Sequence, residues 1–142
     1  MFINPITYGE SDYHQLLDLR HRVMRAPLGL EFSKEELALE AGYIHLAAID
    51  DGVVIGGLVL IDLGHHLFKV RQMVVTPERQ GQGIGRALLE LALDISRSHG
   101  GKKIKLDARI EATGFYKTIG FHNVGEAFME IGIPHQLMEI EL

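Results

Sequence analysis

The sequence predicts an α/β (α+β) domain in which helices cover both faces of one mixed sheet, and three observations carry that expectation. Three segments rich in Val, Ile and Leu follow one another between residues 43 and 75. One strongly amphipathic segment follows at 83–99, and a strand, a helix and two more strands complete the chain.

Each element has its own signal. Residues 3–8 read as a first strand. Ser11 can cap a helix that carries Leu16, Leu17, Arg20, Val23 and Met24 at helical spacing and stops near Pro27. Ser33 with Glu36 three residues on is a capping box, so a short helix is expected from Lys34 to about Ala41, ended by Gly42. Strands at 43–50 and 53–62 are split by Asp50, Asp51 and Gly52 into a hairpin, and a third at about 67–75 follows a turn at Gly64. The three should form an antiparallel meander, closed by Pro77. At 83–99 Ile84, Ala87, Leu88, Leu91, Ala92 and Ile95 make one stripe, terminated by Gly100 and Gly101. A strand at 103–106, a helix at 110–119 stopped by Gly120, and strands at 121–126 and 134–141 follow.

At 142 residues, with 46% apolar and 23% charged side chains, the chain reads as one domain with one core and no linker, repeat or low-complexity tract. No apolar run reaches the ~18 residues of a membrane span and the N-terminus lacks a signal-peptide pattern, so a cytoplasmic protein with no membrane association is expected. The absence of cysteine excludes disulfides, Cys-ligated zinc and a thiol nucleophile. A net charge of -5 argues against a broad nucleic-acid surface and mildly favours a cationic partner.

The chemistry centres on residues 73–86, a strand that passes through a turn directly into the long helix. Gly81, Gly83 and Gly85 fall at the helix start, where bare backbone and unbonded amides suit a phosphate, and Arg79 and Arg86 flank the turn. A P-loop would need Lys and a hydroxyl where Ala87-Leu88 stand. The dinucleotide fingerprint would need glycine at Arg86 and a strand that opens a βαβ unit. Both fail.

With Gln80, Gly83 and Gly85 in place, the turn resembles the phosphate loop of the GNAT superfamily of N-acyltransferases, whose form is [Q/R]xxGx[G/A]. Gly114-Phe115-Tyr116-Lys117-Thr118-Ile119-Gly120-Phe121 looks like the second signature of that family, about thirty residues further on. The resemblance covers nearly the full chain and implies a mostly antiparallel central sheet. It also implies acetyl-CoA, or a close relative, as co-substrate, its pyrophosphate on Gln80, Gly81, Gln82, Gly83, Ile84, Gly85 and Arg86. Its pantetheine arm would lie along Met73, Val74 and Val75, one of whose amides could polarise the thioester. By the same resemblance the reaction is direct attack of an amine on the thioester, the acceptor being a small molecule or a protein, and Tyr116 is the proton donor to the leaving thiolate.

Where many members of that family carry a glutamate before the loop, this chain reads Phe68-Lys69-Val70-Arg71-Gln72. The general base is therefore open among Glu31, His66, His135 and a water chain. The same gap supports an alternative, an inactive CoA-binding module acting as a sensor or structural subunit. Eight histidines do not imply a metal, because His65 and His66, read as strand neighbours, point apart and no ligand motif occurs. Gly132-Ile133-Pro134-His135 looks like the last strand of a group of small bacterial GNAT proteins, which implies that His135 lines the acceptor side. The apolar Ile131, Ile133, Leu137, Met138 and Ile140 suit either a buried strand or a homodimer.

Overall fold

The computed structural model describes residues 1–142. Its strands are β1 (Phe2–Ile6), β2 (Ile44–Asp50), β3 (Val53–Asp62), β4 (Leu67–Val75), β5 (Lys103–Arg109), β6 (His122–Asn123), β7 (Phe128–Glu130) and β8 (Ile133–Glu141). Its α-helices are α1 (Ser11–Arg20), α2 (Lys34–Leu39), α3 (Ile84–Ser98) and α4 (Thr113–Ile119). One sheet runs β1-β2-β3-β4-β5-β8-β6, with β7 also pairing β8, and every pairing is antiparallel except β4–β5. The expected meander is present. Asp51 and Gly52 turn β2 into β3 with φ of 51° and 76°, the left-handed pair that a tight hairpin of this hand requires.

Alternation along β2 serves two cores. Leu46 and Ala48 face α3, packing with Ile84, Leu88, Leu89 and Ala92, whereas Ala47 faces α1, packing with Leu16 and Leu19. Helices therefore cover both faces. Gly56 and Gly57 let them press on β3: a Cβ on Gly57 would lie 2.6 Å from the Leu16 Cδ1 and from the Leu46 carbonyl, and one on Gly56 would lie 2.9 Å from the Val74 carbonyl and 3.5 Å from Leu88.

The first helix departs from expectation at both ends. Glu10 rather than Ser11 occupies its N-cap, with no side-chain bond, and beyond Arg20 the spiral widens into a π-helical turn over His21–Arg25. The Ser33 cap forms as expected, its Oγ accepting from the Glu36 N–H at 3.1 Å. Near the C-terminus the anticipated strand at 121–126 is only His122–Asn123, because Gln136 donates to the carbonyls of Val124 and Gly125 and holds them in a loop. In its place β7, which the sequence had not suggested, pairs with β8. His65 and His66 sit in the turn before β4 with φ of 54° and 63°, not on a strand, and His66 Nδ1 is tied to the Gly100 carbonyl at 2.9 Å. Of the apolar C-terminal residues, Met138 is fully buried while Ile131 stays half exposed.

One departure from sheet regularity positions everything that follows. β4 and β5 pair only through Leu67–Lys103, Phe68–Ile104 and Lys69–Lys105. Beyond that point β4 stays with β3 as far as Val75, and β5, three residues longer than expected, stays with β8 as far as Arg109. The register of β4 against β3 slips between Gly57 and Val59, and Gln72, in the resulting bulge, has φ +54°. The sheet is thus open down its middle, between two strands whose inner edges have no partner.

Candidate active site

The glycine turn closes one end of that opening. After β4 the chain makes a 3-10 turn over Pro77–Arg79, and Gln80 Nε2 donates back to the Val75 carbonyl at 3.1 Å. Gly81 and Gly83 take φ of 78° and 82°, with nothing within 4 Å of where a Cβ would be. Gly83 is the N-cap of α3 and offers no side chain, and the first bond of the helix runs from the Ala87 N–H to the Gly83 carbonyl at 3.1 Å. The amides of Ile84, Gly85 and Arg86 are therefore free of helical partners and sit at the positive end of a 15-residue dipole. Gly85 answers to packing instead, since a Cβ there would lie 2.9 Å from the Met73 Cε and 3.3 Å from the Phe115 Cζ.

A cleft of about 400 Å³ opens above the turn. Met73, Val74 and Val75 form its strand side, Gln80, Gly81, Gly83, Ile84, Gly85 and Arg86 its turn side, and Phe115 and Tyr116 its far wall. All but one of the residues expected for the pyrophosphate and pantetheine line this space. The exception is Gln82, whose Oε1 accepts from Arg79 Nε at 2.9 Å. Both flanking arginines are engaged, Arg79 with Asp50 at 2.9 Å and Arg86 with Glu90 at 2.9 Å.

Tyr116 lies where this cleft meets a second cavity of about 210 Å³. Its ring stands edge-on to Phe115 and to Phe121, at 5.2 and 5.9 Å, and Gly120, with φ +121°, ends α4 so that Phe121 can turn back beneath it. The second signature thereby fixes one side chain. Burial pushes the phenol up to about 12.

The second cavity lies between the separated halves of β4 and β5 and is lined by Arg71, Gln72, Asp107, Arg109, Glu111 and His135 among others. It continues outward into a space of about 120 Å³ that adds Arg25, Lys69 and Glu130. His135 is buried; its Nδ1 meets the Ile133 carbonyl at 2.7 Å, and its Nε2 lies 3.6 Å from the Glu130 carboxylate. An Nδ1–H donated to that carbonyl leaves the Nε2 lone pair free. Of the expected bases His135 alone reaches this space: His66 is bound at the opposite end of β4, and the exposed Glu31 lines neither cavity. Glu130 and Arg109 went unrecognised in the sequence because they join His135 only through the pairing of β8 with β7 and with β5.

A parallel strand pair that splays over a glycine-rich helix start is the architecture of a known family, and the acetyltransferase (GNAT) domain family matches residues 25–142. The chain belongs to the GNAT acetyltransferase family. Its sequence is 28% identical, over 97% of this chain and 95% of the other, to BSU40680 of Bacillus subtilis (strain 168), an acetyltransferase by provisional designation. Two solved GNAT-fold structures superpose over almost their full lengths. An acyl-CoA N-acyltransferase from Pseudomonas aeruginosa gives a TM-score of 0.82 at 24% identity, covering 98% of each chain. An aminoglycoside 6'-N-acetyltransferase in complex with coenzyme A gives 0.83 at 21%, covering 99% of this chain and 97% of that one. At these identities the structures establish the fold; this GNAT chain's substrates are a separate matter.

Proposed function

We propose that this GNAT protein transfers the acetyl group of acetyl-CoA to a primary amine of a small molecule or protein in the cytoplasm. The observation that carries the reading is the opened β4–β5 pair, with unbonded helix amides at one end and a tyrosine at the junction with a second cavity. The amides from Gly81 to Arg86 receive the pyrophosphate, and the free edge of Met73–Val75 receives the pantetheine arm as an added strand. An amide of that edge polarises the thioester carbonyl.

His135 takes the role of base left open by the missing carboxylate on β4. Its Nε2 accepts a proton from the attacking amine as the new C–N bond forms. The C–S bond then breaks, and Tyr116, protonated at neutral pH, passes its proton to the departing thiolate. A calorimetric titration with acetyl-CoA followed by thiol-release assays over a panel of amines tests the reading. Saturable binding with release on at least one amine is expected. Binding without release on any acceptor supports instead a CoA-binding sensor or structural subunit, which the absence of a carboxylate on β4 favours; no binding at all rejects both.

A further inference from the structure

The arginines of this chain divide unevenly. Arg20, Arg22, Arg25, Arg79, Arg86 and Arg97 are each ion-paired to a carboxylate, and the remaining two of the eight, Arg71 and Arg109, are not. Those two stand on opposite sides of the opening, one on β4 and one on β5, and both line the second cavity and its outward extension. The other charged groups there are accounted for differently. Lys69 is paired with Asp107 at 3.5 Å, Arg25 with Glu36 at 3.5 Å, and Glu130 faces His135. Glu111 lines the inner cavity together with Tyr116.

Building on the acyl-transfer reading, we infer that the acceptor is an amine that also carries an acid group, which Arg71 and Arg109 clamp from the two strands. A guanidinium is always charged and only weakly hydrated, and its fork matches a carboxylate or phosphate. Two of them unpaired at one cavity are a receptor for an oxyanion. Of the carboxylates, Asp107 is held by Lys69, and Glu130, in the outer space, faces His135. That leaves Glu111, lining the inner cavity with Tyr116, as the anion without a cationic partner on the side where the amine must lie for its nitrogen to reach the thioester. The charge layout therefore fits a zwitterion with its amine inward and its acid toward the outer cavity. It opposes a polycationic acceptor, despite the overall negative charge of the chain.

The test uses the wild-type protein with matched acceptors that differ only in the acid: phenylalanine with phenylalaninamide, β-alanine with β-alaninamide, and phosphoethanolamine with ethanolamine. The first two pairs probe a carboxylate and the third a phosphate. Affinity for the CoA-loaded protein is read by saturation-transfer NMR, which needs no turnover, and kcat/KM by thiol release. In at least one pair the acid is expected to bind about tenfold more tightly than its neutral partner. That preference should shrink to within about twofold in Arg71→Gln and in Arg109→Gln while acetyl-CoA affinity is retained. Normal acetyl-CoA binding with no preference for the acid in any pair overturns this inference alone, as does a preference that survives both substitutions. Failure of the wild-type protein to bind acetyl-CoA overturns the parent reading and this one with it.

Discussion

At the residue scale the opened sheet makes distinct demands on single side chains. Tyr116→Phe keeps the ring that packs on Phe121 and deletes only the hydroxyl, so turnover should fall about a hundredfold while acetyl-CoA affinity measured by calorimetry stays within error. His135→Gln should lower kcat by a similar ~10²-fold factor. Its thermal stability should change little, because the amide can still donate to the Ile133 carbonyl. Gly83→Ala meets no steric obstacle but holds φ of 82°, which costs an L-residue about 1–2 kcal/mol, so a lowered melting temperature and weaker acetyl-CoA binding are expected together. These positions differ in how far the sequence announces them. At this turn the left-handed φ and the bare backbone are written as glycine, and so Gly81, Gly83 and Gly85 are visible without coordinates. Arg71 and Arg109 look like any surface arginine; only the fold shows that they lack partners and share a cavity.

At the scale of elements, the attachment of α1 and of the segment after α2 rests on a buried polar network. Arg20, fully buried, donates to both Glu40 oxygens at 2.8 and 2.6 Å, Tyr13 donates to the same carboxylate at 2.8 Å, and His45 Nε2 meets the Glu40 carbonyl at 2.7 Å. Glu40→Gln strands a buried guanidinium and should cost about 3–5 kcal/mol in a denaturant titration. Replacing Arg20 and Glu40 together by apolar residues should cost markedly less. The Ser33 cap of α2 was legible because both of its partners lie within one turn. This network was not, since Glu40 reaches Tyr13 and Arg20 across 27 and 20 residues.

For the whole molecule, the same network sets the pH range of stability. Burial lowers His45 below its ordinary 6.5, so acidification through that value protonates the unfolded chain first and drains stability. Burial pushes Glu40 up, but its bonds to Arg20 and Tyr13 outweigh this and hold it below its ordinary 4.5, so a second loss begins as pH falls through that value. Burial and the Glu40 bond raise Tyr13 above its ordinary 10.0, so stability also declines in alkali above that value, where only the unfolded chain ionises. Denaturant midpoints between pH 4 and 11 should therefore trace a plateau near neutrality with a fall on each side, and His45→Gln should remove the loss that begins near 6.5. The chain by itself determined the order of the main elements as far as α4, the three-stranded meander and the glycine turn, because each depends on periodicity or backbone conformation within a short stretch, whereas Tyr116 was named through the resemblance to a family. Only the tertiary structure decided how far β4 and β5 stay paired, which of the candidate bases reaches the opening and which arginines face it unpaired. Those properties arise where strands distant in sequence meet or part, and strand register is set by packing across the sheet rather than by any local run of residues.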